Sequence, residues 1–272
     1  MSRIRTIIRG LLAACAVVTA GSAVAQLALD DVVEARILPG WREDGGSHMA
    51  GLEIRLAPGW KTYWRAPGDA GIPPRFDWSG SENLTGMGHH WPVPEVFWQN
   101  GMRSIGYADR VVIPLRARAS DADAPITLQG TIDLGVCEEI CIPARVSVTA
   151  VLPPVGASDG TIHAALADRA MTAGEADVGA VTCTARPVRD GVALTVAADM
   201  PPLGRGEVAV IELRDPAIWV AEPTVRRDGD TFVAETELVG PDGAPFALDR
   251  SSVRMTVFAG GKAVDIRGCT GG

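Results

Sequence analysis

The sequence predicts an all-β protein made of two β-sandwich domains joined by a short helical linker. Three observations carry this. Apolar and polar residues alternate over short runs, the period of half-buried strands. Turn signals such as Gly45-Gly46, Asp190-Gly191, Asp228-Gly229 and Asp242-Gly243 separate many of these runs. The pattern breaks at Pro153-Pro154, an Ala-rich segment follows, and strand patterning then resumes. The expected organisation is residues 1–25 as a cleaved leader, 26–154 as the first sandwich, 155–175 as the linker helix and 176–272 as the second sandwich. A length of 272 residues accommodates two ordinary domains.

The leader is read from Arg3, Arg5 and Arg9, an apolar run over residues 11–19, and Ala23-Val24-Ala25 before Gln26. That is the order of a secretory signal peptide. Cys15 would be discarded with it. Nothing after residue 25 approaches the run of about 20 apolar residues that spans a bilayer. Hydrophobic residues make up 47% and charged ones 21%, a globular composition. The net charge of −8 argues against a nucleic-acid partner.

In the first half, residues 31–38 and 48–56 read as strands. The segment 60–74 holds Pro67, Gly68, Gly71, Pro73 and Pro74 in its second half, which exclude a regular helix or a central strand there. Residues 87–94 read as a strand followed by an irregular loop through Phe97, Trp98 and Met102, and residues 105–115 as one strand. Six of the seven tryptophans precede residue 100. Such crowding is a core or a groove for a partner.

The chain then reaches Cys137-Glu138-Glu139-Ile140-Cys141. Before it, Ile126, Leu128, Ile132, Leu134 and Val136 alternate with polar residues. After it, Val146, Val148 and Ala150 do the same. Period two on both sides of a short polar centre is a hairpin. Counting from Val136 and from Arg145 places both cysteines on the polar face, so the expectation is an exposed, reactive pair rather than an inert staple. A disulfide across three residues closes a small ring, and strained rings reduce easily. Glu138 and Glu139 disfavour a neighbouring thiolate.

Residues 160–171 carry apolar side chains at helical spacing, with Ser158 or Asp159 as the cap and Gly174 as the stop. Strands follow at 178–185, 192–197, 208–213, 219–220, 231–238, 253–259 and 263–267. Removal of the leader leaves Cys137, Cys141, Cys183 and Cys269, an even number in an oxidising compartment. Four cysteines allow three pairings. The simplest joins Cys137 to Cys141 and Cys183 to Cys269, the second as a structural staple.

The run Tyr63-Trp64-Arg65-Ala66-Pro67-Gly68-Asp69-Ala70-Gly71-Ile72-Pro73-Pro74, then Ser104-Ile105-Gly106-Tyr107, then the cysteine hairpin ending in Pro143, carries a family likeness. It resembles the N-terminal periplasmic domain of DsbD-type thiol:disulfide interchange proteins. Within them it is most similar to the ScsB-like branch, associated with suppression of copper sensitivity, in which two immunoglobulin-like domains precede the membrane part. The resemblance covers residues 27–152 and extends to the second half only as a general β pattern. It implies an immunoglobulin-like scaffold whose cysteine pair, matched here by Cys137 and Cys141, takes electrons from a DsbD-like membrane protein and passes them to thioredoxin-like periplasmic proteins. It also implies a mobile cap loop, for which Phe97, Trp98 and Met102 are the candidates. It implies no cofactor. The pair here is separated by three residues where the best-known members have five. With no membrane or thioredoxin-like segment up to residue 272, the expectation is either a redox partner on another chain or a diverged role.

Two other function classes compete with thiol-disulfide exchange. One is a copper-binding or copper-tolerance protein, because His89, His90 and Met87 lie close in sequence and thiolates and thioethers suit Cu(I). Adjacent strand residues point to opposite faces, which works against one site using both histidines. The other is a purely structural exported binding module. Hydrolase readings find no support, since neither a Gly-x-Ser-x-Gly elbow nor a His-Glu-x-x-His motif occurs.

Overall fold

A computed structural model describes residues 29–272, so the signal-peptide expectation lies outside the described residues. The first half contains β1 (Val33–Arg42), β2 (Ser47–Leu56), β3 (Lys61–Tyr63), β4 (Arg75–Asp77), β5 (Leu84–His89), β6 (Glu95–Gln99), β7 (Met102–Ala108), β8 (Arg110–Ala119), β9 (Ile126–Cys137) and β10 (Cys141–Leu152). They form a four-stranded sheet in the order β1-β2-β8-β5 and a six-stranded sheet in the order β10-β9-β3-β7-β6, with β4 also on β9. Leu52, Ile54, Ile113 and Leu115 from the first sheet meet Ile105, Leu128, Ile132, Leu134 and Val148 from the second in one buried core. The fold is all-β, as the alternation predicts.

Three readings of the first half are corrected. The segment 60–74 does supply a central strand, because its first three positions lack proline and glycine and β3 inserts between β9 and β7. Only the Pro/Gly-rich remainder arches out. Residues 97–102 are not an irregular loop but the tip of the β6–β7 hairpin. Asn100 and Gly101 both have positive φ, 53° and 79°, which is the Asn-Gly turn of a two-residue hairpin. Residues 105–115 are two strands in different sheets, because Asp109 at φ 55° turns the chain from one layer to the other.

The second half begins with α1 (Gly160–Ala167). Asp159 caps it, accepting from the Thr161 and Ile162 N–H groups at 2.7 and 3.2 Å. It stops short of the expected residue 171, because Met171 and Thr172 pair instead with a strand near the C-terminus. Ile162 is fully buried on Gly51 and Val112, so α1 covers the outer face of the first four-stranded sheet.

There follow β11 (Met171–Thr172), β12 (Val181–Val188), β13 (Gly191–Asp199), β14 (Val208–Glu212), β15 (Trp219–Val220), β16 (Thr224–Asp228), β17 (Thr231–Val239), β18 (Arg254–Ala259), β19 (Lys262–Arg267) and β20 (Thr270–Gly271). Their sheets run β11-β19-β18-β14 and β15-β17-β13-β12-β20, with β16 also on β17. Ala209, Ile211, Met255, Val257, Val264 and Ile266 face the second core. The alternate residues Val210, Phe258 and Ala263 belong to the first core cluster. The second four-stranded sheet is therefore buried on both faces, with the first sandwich as its outer layer. Trp64 meets Phe258 edge-on there, with ring centroids 5.3 Å apart.

Candidate functional site

β9 and β10 pair without a break from Ile126 opposite Leu152 to Cys137 opposite Cys141. Cys137 also lies opposite Lys61 of β3, and Tyr63 lies opposite Gly106 of β7. Phe97 is opposite Ser104, and Gln99 opposite Met102. Cross-strand partners share a face, and so do alternate residues. Cys137, Cys141, Lys61, Tyr63, Phe97, Gln99 and Met102 thus gather on the face of the six-stranded sheet that points away from the core.

The sulfurs of Cys137 and Cys141 are bonded, with their Cα atoms 4.1 Å apart. Their surroundings differ. Cys141 is exposed, whereas Cys137 is 2% exposed. The expectation of two open sulfurs is corrected here. Strand alternation does put Cys137 on the outer face, but neighbouring segments stand over that end of it. The Gln99 side chain donates to the Glu138 carbonyl at 3.3 Å and accepts from the Lys61 ammonium at 3.0 Å. That ammonium lies 5.1 Å from the centre of the Phe97 ring. Burial lowers the Lys61 pKa. Glu138 and Glu139 are exposed at the tip.

Tyr63 is the site residue that the sequence reading missed. Its hydroxyl lies 3.0 Å from Cys141 Sγ. A disulfide sulfur carries no hydrogen, so the phenol donates. Burial raises the phenol pKa and keeps that proton in place. The ring is held between two glycines: a Cβ at Gly71 or at Gly135 would come 2.9 Å from its carbons. A glycine inside a strand marks a close approach, and Gly135 in β9 was the available signal.

The three cap candidates separate. Phe97 and Met102 share the cysteine face, with Phe97 half-buried beside Lys61 and Met102 57% exposed. Trp98 alternates to the opposite face and is 62% exposed, so it is not the covering side chain. Around Cys141 the exposed apolar residues are Ile140 and, at its edges, Ile72 and Ile142.

The other sequence candidates lie elsewhere. Cys183 and Cys269 are bonded with Cα atoms 5.6 Å apart, joining β12 to the segment before β20. Cys183 is fully buried. His89 sits in an aromatic cluster with Phe76, Trp78 and Trp91. Its Nε2 accepts the Trp78 indole N–H at 3.4 Å, and burial lowers its pKa to about 4. It is thus a neutral ring in the packing of the first sandwich.

The arrangement suits exchange at one sulfur. Cys141 is exposed while Cys137 is buried, and a phenol donating to Cys141 Sγ favours negative charge on that sulfur.

Residues 34–153 match the family described as Thiol:disulfide interchange protein DsbD, N-terminal. The chain is similar in fold to the crystal structure of the N-terminal periplasmic domain of ScsB from Proteus mirabilis. The TM-score is 0.62 at 26% identity, covering 88% of this chain and 92% of that one. The structure of Yersinia pseudotuberculosis InvD matches at a TM-score of 0.22 and 13% identity, over 90% of this chain and 59% of that one, and carries no argument. No curated protein matches the chain.

Proposed function

We propose that this chain, whose residues 34–153 match the DsbD N-terminal family, is an exported thiol-disulfide exchange protein working through Cys137 and Cys141. One observation carries the reading: a bonded cysteine pair at a hairpin tip with one sulfur exposed, one buried, and a buried tyrosine donating to the exposed one. A partner thiolate attacks Cys141 Sγ. The Cys137–Cys141 bond breaks, and Cys137 leaves as a thiolate that takes up a proton. The partner's second thiolate then attacks its own sulfur in the mixed disulfide and releases Cys141. The partner's dithiol is oxidised to a disulfide and this pair is reduced. The reverse sequence delivers the electrons onward.

By family, the electron donor is a DsbD-like membrane protein and the acceptors are thioredoxin-like periplasmic proteins. The leader-like first 25 residues and the periplasmic relative support a periplasmic location. Phe97 is the covering side chain of the resting pair, and its hairpin swings away when a partner docks.

The trapping experiment follows from the unequal burial. Cys137→Ser leaves the exposed thiol of Cys141, and it accumulates a mixed disulfide with thioredoxin-like proteins of periplasmic extracts. Cys141→Ser leaves only the buried thiol and accumulates far less. Adducts in neither variant, or a wild-type pair that does not equilibrate with a glutathione buffer, would overturn the proposal.

A further inference from the structure

The second sandwich contributes no sulfur to this exchange, yet it grips both segments that stand over the pair. The first is the end of β3. Two residues after Tyr63, the Arg65 guanidinium forms a fork with Glu212 of β14, at 3.0 and 2.8 Å. Arg65 also stacks on Trp64, its Cζ 3.8 Å from the ring centre, and Trp64 in turn packs on Phe258. The second segment is the β6–β7 hairpin. Arg103 lies between Met102 and Ser104, the cross-strand partners of Gln99 and Phe97. It is 3% exposed and leaves the first sandwich altogether. Its Nη2 donates to the Ala209 carbonyl at 3.2 Å, and its Nε lies 3.2 Å from Glu222 Oε1.

Apolar contact alone could join the two sandwiches, since Trp64, Phe258, Val210 and Ala263 already share one buried cluster. A buried guanidinium adds cost unless its partners are well placed, and it fixes register in return. Arg65 lies two residues after Tyr63, which touches Cys141, and Arg103 lies between the cross-strand partners of Gln99 and Phe97. From this we infer that the second sandwich positions the redox centre. Through Arg65 it sets Tyr63 against Cys141, and through Arg103 it holds the hairpin that carries Phe97 and Gln99 over Cys137. Arg65 and Arg103 are positioning residues in this account, which rests on the exchange reading proposed above.

The test uses the full chain with the hairpin pair selectively reduced. Alkylation of Cys141 by iodoacetamide is measured against pH in wild type, Glu212→Gln and Tyr63→Phe, with thermal melting recorded for each. Loss of the phenol hydrogen bond destabilises the thiolate, so the Tyr63→Phe profile shifts upward by about one pH unit. Glu212→Gln is expected to shift it in the same direction and to add nothing in a Tyr63→Phe background. Arg103→Lys keeps the buried charge but loses the Nη2 donor to the Ala209 carbonyl, and it is expected to speed oxidation of the reduced pair by a small disulfide several-fold. Wild-type pH profiles and oxidation rates in Glu212→Gln and Arg103→Lys, whatever their melting temperatures, overturn the inference while leaving exchange intact. A wild-type pair that does not exchange at all instead removes the reading beneath it.

Discussion

Each sandwich joins a four-stranded sheet to a six-stranded one and carries one disulfide on the latter, but the bonds close rings of very different size. Cys137 and Cys141 are four positions apart, at the open end of a hairpin that β-pairing already holds together. Cys183 and Cys269 are 86 positions apart. Their bond brings the last strand back to β12, where Gly272 N–H and Arg250 both reach the Cys183 carbonyl. In the chain-entropy description the long loop contributes about 4–5 kcal/mol and the short one about 2 kcal/mol or less. The two bonds thus differ most in ring size, since each joins a buried cysteine, Cys137 or Cys183, to a more open one, Cys141 or Cys269.

The largest effect should come from the staple. Cys269→Ser is expected to destabilise the second sandwich by about 2–5 kcal/mol in chemical denaturation. Cys141→Ser should cost less than half as much. Equal losses would erase the distinction. Graded reduction with alkylation and mass spectrometry gives the kinetic counterpart, with Cys137–Cys141 opening first.

A second contrast sharpens how the two four-stranded sheets are held. Glu53 in β2 is fully buried under Arg36, Arg55 and Arg110, whose side chains are half exposed. Burial alone would raise its pKa, but hydrogen bonds from Arg36, Arg110 and Arg55 overcome this and lower it to about 2. A carboxylate with a depressed folded-state pKa contributes stability above its unfolded value, and that contribution is lost as pH falls through the folded one. The first sandwich should therefore weaken between about pH 4.5 and pH 2, by on the order of 2 kcal/mol after allowance for solvent around the guanidinia. Glu53→Gln should flatten this stretch of the curve. In the second sheet, Asp265 holds the equivalent place between Arg254 and Arg267, where burial again raises the pKa and the arginine hydrogen bonds lower it.

The smallest effect separates the two aromatic residues at the β6 tip. Phe97→Ala should speed oxidation of the reduced pair, whereas Trp98→Ala should leave the rate unchanged because that ring lies on the other face. Stopped-flow oxidation of both variants distinguishes them, and a faster Trp98→Ala would move the cap to the wrong side of the hairpin.

Local sequence determined much of this protein. Period-two alternation on either side of Cys137 and Cys141 specified the hairpin and its register, because a one-residue slip would turn Ile132, Leu134 and Val136 out of the core. Asp159 before an Ala-rich run specified the helix start. Asn100-Gly101 between strand-like runs is equally a local signal, that of a two-residue hairpin turn. Tertiary structure alone decided the rest. Alternation assigns Cys137 to a face but cannot say what shares that face with it, and its neighbours there include Lys61, Phe97 and Gln99, some forty to eighty positions away. Tyr63 reaches Cys141 across 78 positions. Arg65 meets Glu212 across 147. Backbone periodicity is local, because each residue's face depends only on its neighbours in the strand. Burial, partner and access depend on which distant strands the sheet order places alongside, and no single stretch of sequence contains that.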